Sequence, residues 1–189
     1  MAPSDEAELV KMINTSVDIN DKPSAFRFPR GTGIGVELPS IEEKIEIGKG
    51  KVISEGNNIA VINFGARLQE CLLAKENLKK KGINPTIVDA RFAKPLDEHL
   101  IWQIATDHES IITIEEGSIG GFGSHVSNFL SEKNLIDSGL KFRSMILPDR
   151  FIDQDKPDLM YKNAGLDAQS IENKVLDLLN SKIIIQKQN

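Results

Sequence analysis

The sequence predicts a three-layer α/β/α domain built on a mainly parallel sheet with one antiparallel edge strand, and three observations lead there. The first is Ile111-Ile112-Thr113-Ile114, an unbroken apolar run that passes through Glu115 and Glu116 into the glycine-dense stretch 117–123 and then a helix-period segment from Val126. A continuous run suits a strand covered on both faces, and strand, glycine turn, helix is where open α/β sheets place their working loops. The second is the alternation of strand-like and helix-like segments along the rest of the chain, which implies right-handed crossovers. The third is the pair Lys51–Ser54 and Ile59–Phe64, joined only by Glu55-Gly56-Asn57-Asn58. That connection is too short for a crossover, so it predicts a hairpin whose first strand is an antiparallel edge.

Taken in order, Ser4 reads as a helix N-cap with acids in the first turn, followed by an apolar face of Leu9, Met12, Ile13 and Val17. Asn20-Asp21-Lys22-Pro23 breaks that helix, and Ser24–Phe28 reads as a short strand ended by Pro29. One helix and one strand bury no core of their own. Residues 1–30 are therefore expected to be the tail of another domain, with Met1 an artificial start or a cleavage site. Residues 31–44 carry Gly31, Gly33, Gly35 and Pro39 without periodicity, and read as a linker. Residues 45–189 form the expected second domain.

Within it, Gly65 turns the chain from the 59–64 strand into a helix with Leu68, Leu72 and Leu78 inward, closed by Lys79-Lys80-Lys81-Gly82. Strands are expected at 86–90, 110–115 and 142–147. Asp97 should cap a helix bearing Leu100, Ile101 and Ile104, and Ser124 should cap one over 124–132. Short helices at 156–163 and 168–180 close the chain, the first ended by Gly165 and the second capped by Asp167.

The 189 residues carry a net charge of -5, which gives no electrostatic reason to expect nucleic acid. No apolar run approaches the roughly 20 residues of a membrane span, so no membrane partner is expected. The lone Cys71 excludes an internal disulfide and falls in a helical pattern, as a buried structural thiol would.

Few residues suggest chemistry. The turn spacing G-x-x-G-G-x-G is not that of a dinucleotide loop, and no acid ends a strand about 20 residues on. A tight turn packed against another domain is the better reading. Glu115 and Glu116 are adjacent on a strand and point to opposite faces, so they make no carboxylate pair; one should hydrogen-bond the turn. His99, His108 and His125 lack metal-ligand spacing. The first two read as helix-surface residues, and His125, next to the turn, is a secondary site candidate. Phe26-Arg27-Phe28-Pro29-Arg30-Gly31 is more informative. Arg27 alternates with two phenylalanines and so faces away from them, a further secondary candidate. Arg30 is held by Pro29 and freed by Gly31 at a strand end, a placement suited to two-pronged recognition of phosphate or carboxylate. On pattern alone, a surface salt bridge is the competing reading.

At these residues the chain resembles a known family. Met1–Leu9, Pro23–Gly31, Gly33–Leu38, Glu46–Gly50, Asp89–Asp97, Glu115–Gly123 and Leu147–Ile152 closely resemble, in order, the 1-deoxy-D-xylulose-5-phosphate synthases. These belong to the transketolase-like, thiamine-diphosphate-dependent enzymes, and the resemblance runs almost end to end. Phe28 stands where that family usually has tyrosine.

The resemblance implies a three-domain homodimeric enzyme, of which this chain is the last piece of the second domain and the whole third, a transketolase C-terminal-like domain. It implies loss of CO2 from pyruvate and joining of the remainder to glyceraldehyde 3-phosphate, for isoprenoid, thiamine and pyridoxal precursors. Thiamine diphosphate and Mg2+ serve the full-length enzyme, bound by portions outside this chain, so no catalytic, cofactor or metal residue is expected here and the fragment alone should be inactive. Arg30 matches the arginine that grips the acceptor phosphate. The expected location is the cytoplasm of a bacterium, or a plastid stroma. The equivalent part of a pyruvate dehydrogenase β subunit or transketolase is an alternative, opposed by Phe28-Pro29-Arg30-Gly31 and Pro148-Asp149-Arg150-Phe151. A free-standing regulatory module using the glycine turn is another.

Overall fold

The computed structural model describes residues 1–186, with side chains described through residue 180. The elements are α1 (Glu6–Val17), β1 (Lys51–Ser54), β2 (Ile59–Phe64), α2 (Leu68–Lys79), β3 (Thr86–Asp89), α3 (Glu98–Asp107), β4 (Ser110–Glu115), α4 (Phe122–Glu132), β5 (Lys141–Met145), α5 (Pro157–Asn163) and α6 (Ala168–Gln186). They form a five-stranded sheet in the order β1-β3-β2-β4-β5. β2, β3, β4 and β5 run parallel, and β1 is the antiparallel edge. This is the expected α/β architecture. β4 lies between β2 and β5, and every residue of β2 and β4 is buried.

Both sheet faces are covered, which is why the inner strands are apolar throughout rather than alternating. Val126, Phe129 and Leu130 of α4, with Ile101 and Ile104 of α3, meet Ala60, Ile62 and Ile111 on one face. On the other face, Cys71 and Leu78 of α2, with Ile171 and Val175 of α6, meet Val61, Ile87, Ile112 and Ile114. Burial of Cys71 pushes its thiol well above the ordinary range, consistent with an inert structural role.

Several boundaries predicted from the sequence shift. β1 is an edge but not half of a hairpin, because it pairs with β3 rather than β2. The 55–58 connection instead crosses the start of β3: Asn57 N–H donates to Asn84 O (2.8 Å) and Gly56 N–H to Thr86 Oγ1 (3.0 Å). Buried Lys75 ties the crossing down, donating to Glu55 O (2.7 Å) and Pro85 O (2.8 Å). β3 ends at Asp89, and β5 spans 141–145 rather than 142–147.

Helix ends differ also. Asp5, not Ser4, caps α1, accepting from Glu8 N–H at 2.8 Å. α4 begins at Phe122 with Gly121 as its cap, while Ser124 Oγ accepts from Gly120 N–H (3.0 Å) inside the turn. Asp97 and Asp167 cap as expected, accepting from Leu100 and Ser170 N–H. His108 is half-buried rather than free on the helix surface. Its Nδ1 donates to Ile104 O (2.9 Å), and its Nε2 lies 2.7 Å from Thr86 Oγ1.

The 24–28 stretch has no regular secondary structure and is no strand of the sheet. It lies along the chain's first residues, Arg27 N–H donating to Met1 O at 3.1 Å. The Phe26 and Phe28 rings share one side, centroids 6.2 Å apart, as the alternation predicts. Residues 1–17 are not left bare either. Ala2 joins the sheet core, and Met12 is buried against Ile45 and Phe92. Ile13 and Val17 do remain exposed. Among the described residues, no helix is long and apolar enough to cross a membrane.

Candidate functional site

The chain passes from β2 to β3 on one side and then back to β4 on the other, so the carboxyl ends of β2 and β4 form the sheet's switch point. Phe64–Arg67 and Glu115–Glu116 lie there, and the 1–6 and 25–30 segments close over them.

Glu115 ends β4 with its side chain 2% exposed. Its Oε1 accepts from Gly123 N–H at 2.9 Å, so the carboxylate caps the second residue of α4 from outside that helix. Its Oε2 pairs with Arg27 Nη2 at 3.3 Å, and Arg27 Nη1 donates to Glu116 O at 3.4 Å. The guanidinium also sits 5.2 Å from the centre of the Phe64 ring, a cation–π distance. This explains the glycine turn: a Cβ on Gly121 would lie 2.5 Å from Glu115 Oε2, and one on Gly117 would also meet that oxygen. The turn encloses the protein's own carboxylate.

Glu116 has a separate set of partners. Arg67 Nε lies 2.9 Å from its Oε1, the two side chains 13% and 15% exposed, and the same guanidinium stacks 3.7 Å over the Tyr161 ring of α5. Burial, then the hydrogen bond to Glu116 and its charge, push the Tyr161 hydroxyl up to about 12, so Tyr161 is a fixed donor to that carboxylate. The two glutamates are thus divided between two arginines and form no shared acid/base pair.

Beside this network is a cavity of about 640 Å3 whose lining includes Arg30, Phe28, Thr32, Arg67, Asp158 and Tyr161. Arg30 is exposed and Arg27 is not among the lining residues; Arg27 borders a smaller hollow of about 210 Å3 with Gly65, Glu116 and Tyr161. His125 is exposed on the first turn of α4 and lines neither. The structure therefore gathers Arg27, Arg30, Glu115 and Glu116 around the switch point and leaves His125 outside.

Two groups were not legible as site residues. Arg67 and Tyr161 are 94 positions apart and meet only through folding. Asp89, which ends β3, is 1% exposed and accepts from the Ser4 hydroxyl and Arg91 N–H (3.4 Å). Burial pushes its carboxyl up to about 6. Arg91, with φ of 58°, turns back to hold Glu8, with Nη2 2.8 Å from Oε1 and Nε 2.8 Å from Oε2. A carboxylate closing an apolar strand, Ile87-Val88-Asp89, was the available signal for Asp89. Among the described residues no three His, Cys, Asp or Glu side chains converge as metal ligands.

Comparison with known proteins turns this geometry into a family. A profile of the family described as "Transketolase, C-terminal domain" matches residues 48–171. The chain belongs to the transketolase C-terminal domain family. A solved structure described as "Split gene transketolase, inactive beta4 tetramer" is similar over 95% of this chain at 26% identity, with a TM-score of 0.80. This chain spans 57% of that one's length. The span matched to the transketolase C-terminal domain includes Arg67, Glu115, Glu116 and Tyr161, and it excludes Arg27 and Arg30. The Arg67, Glu115, Glu116 and Tyr161 part of the switch-point network is therefore built within the family domain, and the two exposed arginines, Arg27 and Arg30, come from the segment before it.

Proposed function

We propose that this chain is the C-terminal part of a 1-deoxy-D-xylulose-5-phosphate synthase, in which Arg30 holds the phosphate of glyceraldehyde 3-phosphate. The observation that carries the reading is Arg30 itself, an exposed guanidinium on the wall of a cavity large enough for a small phosphorylated sugar. Arg27 in the same motif is committed to Glu115, which leaves Arg30 as the motif's cation facing that cavity. A guanidinium suits a phosphate because its planar fork presents two parallel N–H donors.

In the whole enzyme, thiamine diphosphate would supply the carbanion chemistry that lets pyruvate lose CO2. On this reading thiamine diphosphate and Mg2+ are held by domains outside this chain. What this chain contributes is the grip on the acceptor, packing against those domains, and contacts of a homodimer. Alone it is inactive. A transketolase of split type is the second reading, favoured by the similar structure described as such.

Substrate-resolved kinetics on the full-length enzyme test the proposal. A charge-assisted hydrogen bond contributes roughly 1.5–3 kcal/mol, and each 1.4 kcal/mol is about tenfold. Arg30→Ala should weaken glyceraldehyde 3-phosphate use by roughly 10- to 150-fold, with pyruvate far less affected and Arg30→Lys intermediate. Equal losses for both substrates would assign Arg30 to the fold and end the phosphate reading.

A further inference from the structure

We propose that Glu6 is a positioning residue for Arg30, acting through the backbone of residues 34–36. This deepens, and rests on, the reading of Arg30 as the phosphate contact. The segment from 25 to 36 has no regular secondary structure, so sheet or helix hydrogen bonds do not fix Arg30. It is anchored on both sides of Arg30 by the first six residues of the chain. Upstream, Arg27 N–H donates to Met1 O at 3.1 Å. Downstream, Glu6 Oε1 accepts from Gly35 N–H (2.6 Å) and Val36 N–H (3.1 Å), and Oε2 accepts from Ile34 N–H (3.1 Å).

Three successive N–H groups converging on one carboxylate form an anion-binding concavity, filled here by the protein's own side chain. Two glycines permit it. Gly35 has φ of +88°, where other residues are strained, and a Cβ on Gly33 would lie 2.6 Å from Glu6 Oε1. The competing account of Glu6 is that an acid in the first turn of α1 serves only that helix. That account does not require the carboxylate to reach 28 to 30 residues along the chain to three outside N–H groups. Its own backbone N–H first, then those of Gly35, Ile34 and Val36, draw its carboxyl below the ordinary range, so the anchor is charged at neutral pH. Glu6 and Arg30 line the same cavity. On field alone, removing this anion would strengthen phosphate binding. A positioning role gives the opposite sign, which makes the two separable.

The test combines amide exchange by NMR with titration of inorganic phosphate followed at the Arg30 Nε–H signal, in this chain and its Glu6→Ala and Glu6→Gln variants. Glu6→Ala should raise exchange at Ile34, Gly35 and Val36 by tenfold or more, leave β2 and β4 protected, and weaken phosphate binding roughly tenfold, about 1.4 kcal/mol. Glu6→Gln, with one carbonyl oxygen left to accept, should keep part of both. Unchanged exchange in Glu6→Ala, or phosphate binding that is unchanged or tighter, overturns the positioning role and leaves the Arg30 reading standing. If phosphate leaves the Arg30 signal of the unmodified chain unmoved, the Arg30 reading falls, and the positioning role falls with it.

Discussion

If the 117–123 turn is glycine-rich because it wraps the Glu115 carboxylate, then adding a methyl group to the turn and removing the carboxylate should not be independent. Gly121 has φ of -82°, so Gly121→Ala introduces no left-handed strain and acts through sterics alone. Its Cβ would sit 2.5 and 2.7 Å from the two Glu115 oxygens. The carboxylate has little room to give way, being held on one side by Gly123 N–H at 2.9 Å and on the other by Arg27 at 3.3 Å. Overfilling a site of this kind costs about 1–3 kcal/mol. Glu115→Ala alone should cost about 1.5–3 kcal/mol for a hydrogen bond to a charged group. The Arg27 pair adds little, about 0–1 kcal/mol, because Arg27 is 47% exposed. With alanine at 115 the obstruction is gone, and Gly121→Ala should then be near neutral. Urea unfolding of the two single variants and the double variant should give a coupling energy of about 1–3 kcal/mol in favour of the double. Additivity within about 0.5 kcal/mol would mean that the turn and the carboxylate do not constrain one another, and the account of the glycines would be wrong.

Asp89 gives a pH signature of unusual sign. Its folded value, about 6, lies above its unfolded 3.8, so the folded state holds the proton more tightly. The stability it contributes is present below 3.8 and lost as pH rises towards 6, about 3 kcal/mol at 1.36 kcal/mol per pH unit. Asp89→Asn should abolish that decline; urea midpoints from pH 3 to 8 that fall as steeply in Asp89→Asn as in the unmodified chain would reject the assignment. Self-association at high concentration is expected through Phe28, which is 56% exposed, and not through Phe122, which is buried against Phe64 with ring centroids 4.8 Å apart. Sedimentation should show Phe28→Ser weakening the association, and a strict monomer at millimolar concentration would refute it.

What was legible in the sequence follows from which forces are local. β2, β4 and the helices between them are specified by runs and periods of apolar residues over short spans, and those elements are found close to their predicted limits. The partner of β1 was not legible, since a four-residue connection ordinarily means a hairpin. What decides it is non-local: Gly56 and Asn57 bond to the start of β3, and Lys75 from α2 holds the crossing. The helix caps failed for a related reason. Ser4 and Ser124 have the right side chains, but Ser4 is drawn to buried Asp89 and Ser124 to Gly120 N–H, and backbone caps or Asp5 take their place.

The same division explains the site. Arg30 could be singled out because its restraint is written into its neighbours, Pro29 before it and Gly31 after it. Arg67 sits in an ordinary helix-start context and Tyr161 in a short helix, and neither has a local pattern that points to the other. Their role comes from the switch in strand order, which brings the end of β2 beside the end of β4 and leaves Glu116 between them. The pairing also divides the labour. Glu115 is a buried acceptor and Glu116 a largely covered one, so each requires a cation or N–H donor to offset its desolvation. Arg27 and Arg67 meet that need and are thereby committed to structure. The cation of the Phe-Arg-Phe-Pro-Arg motif that remains exposed to the cavity is Arg30, between Pro29 and Gly31.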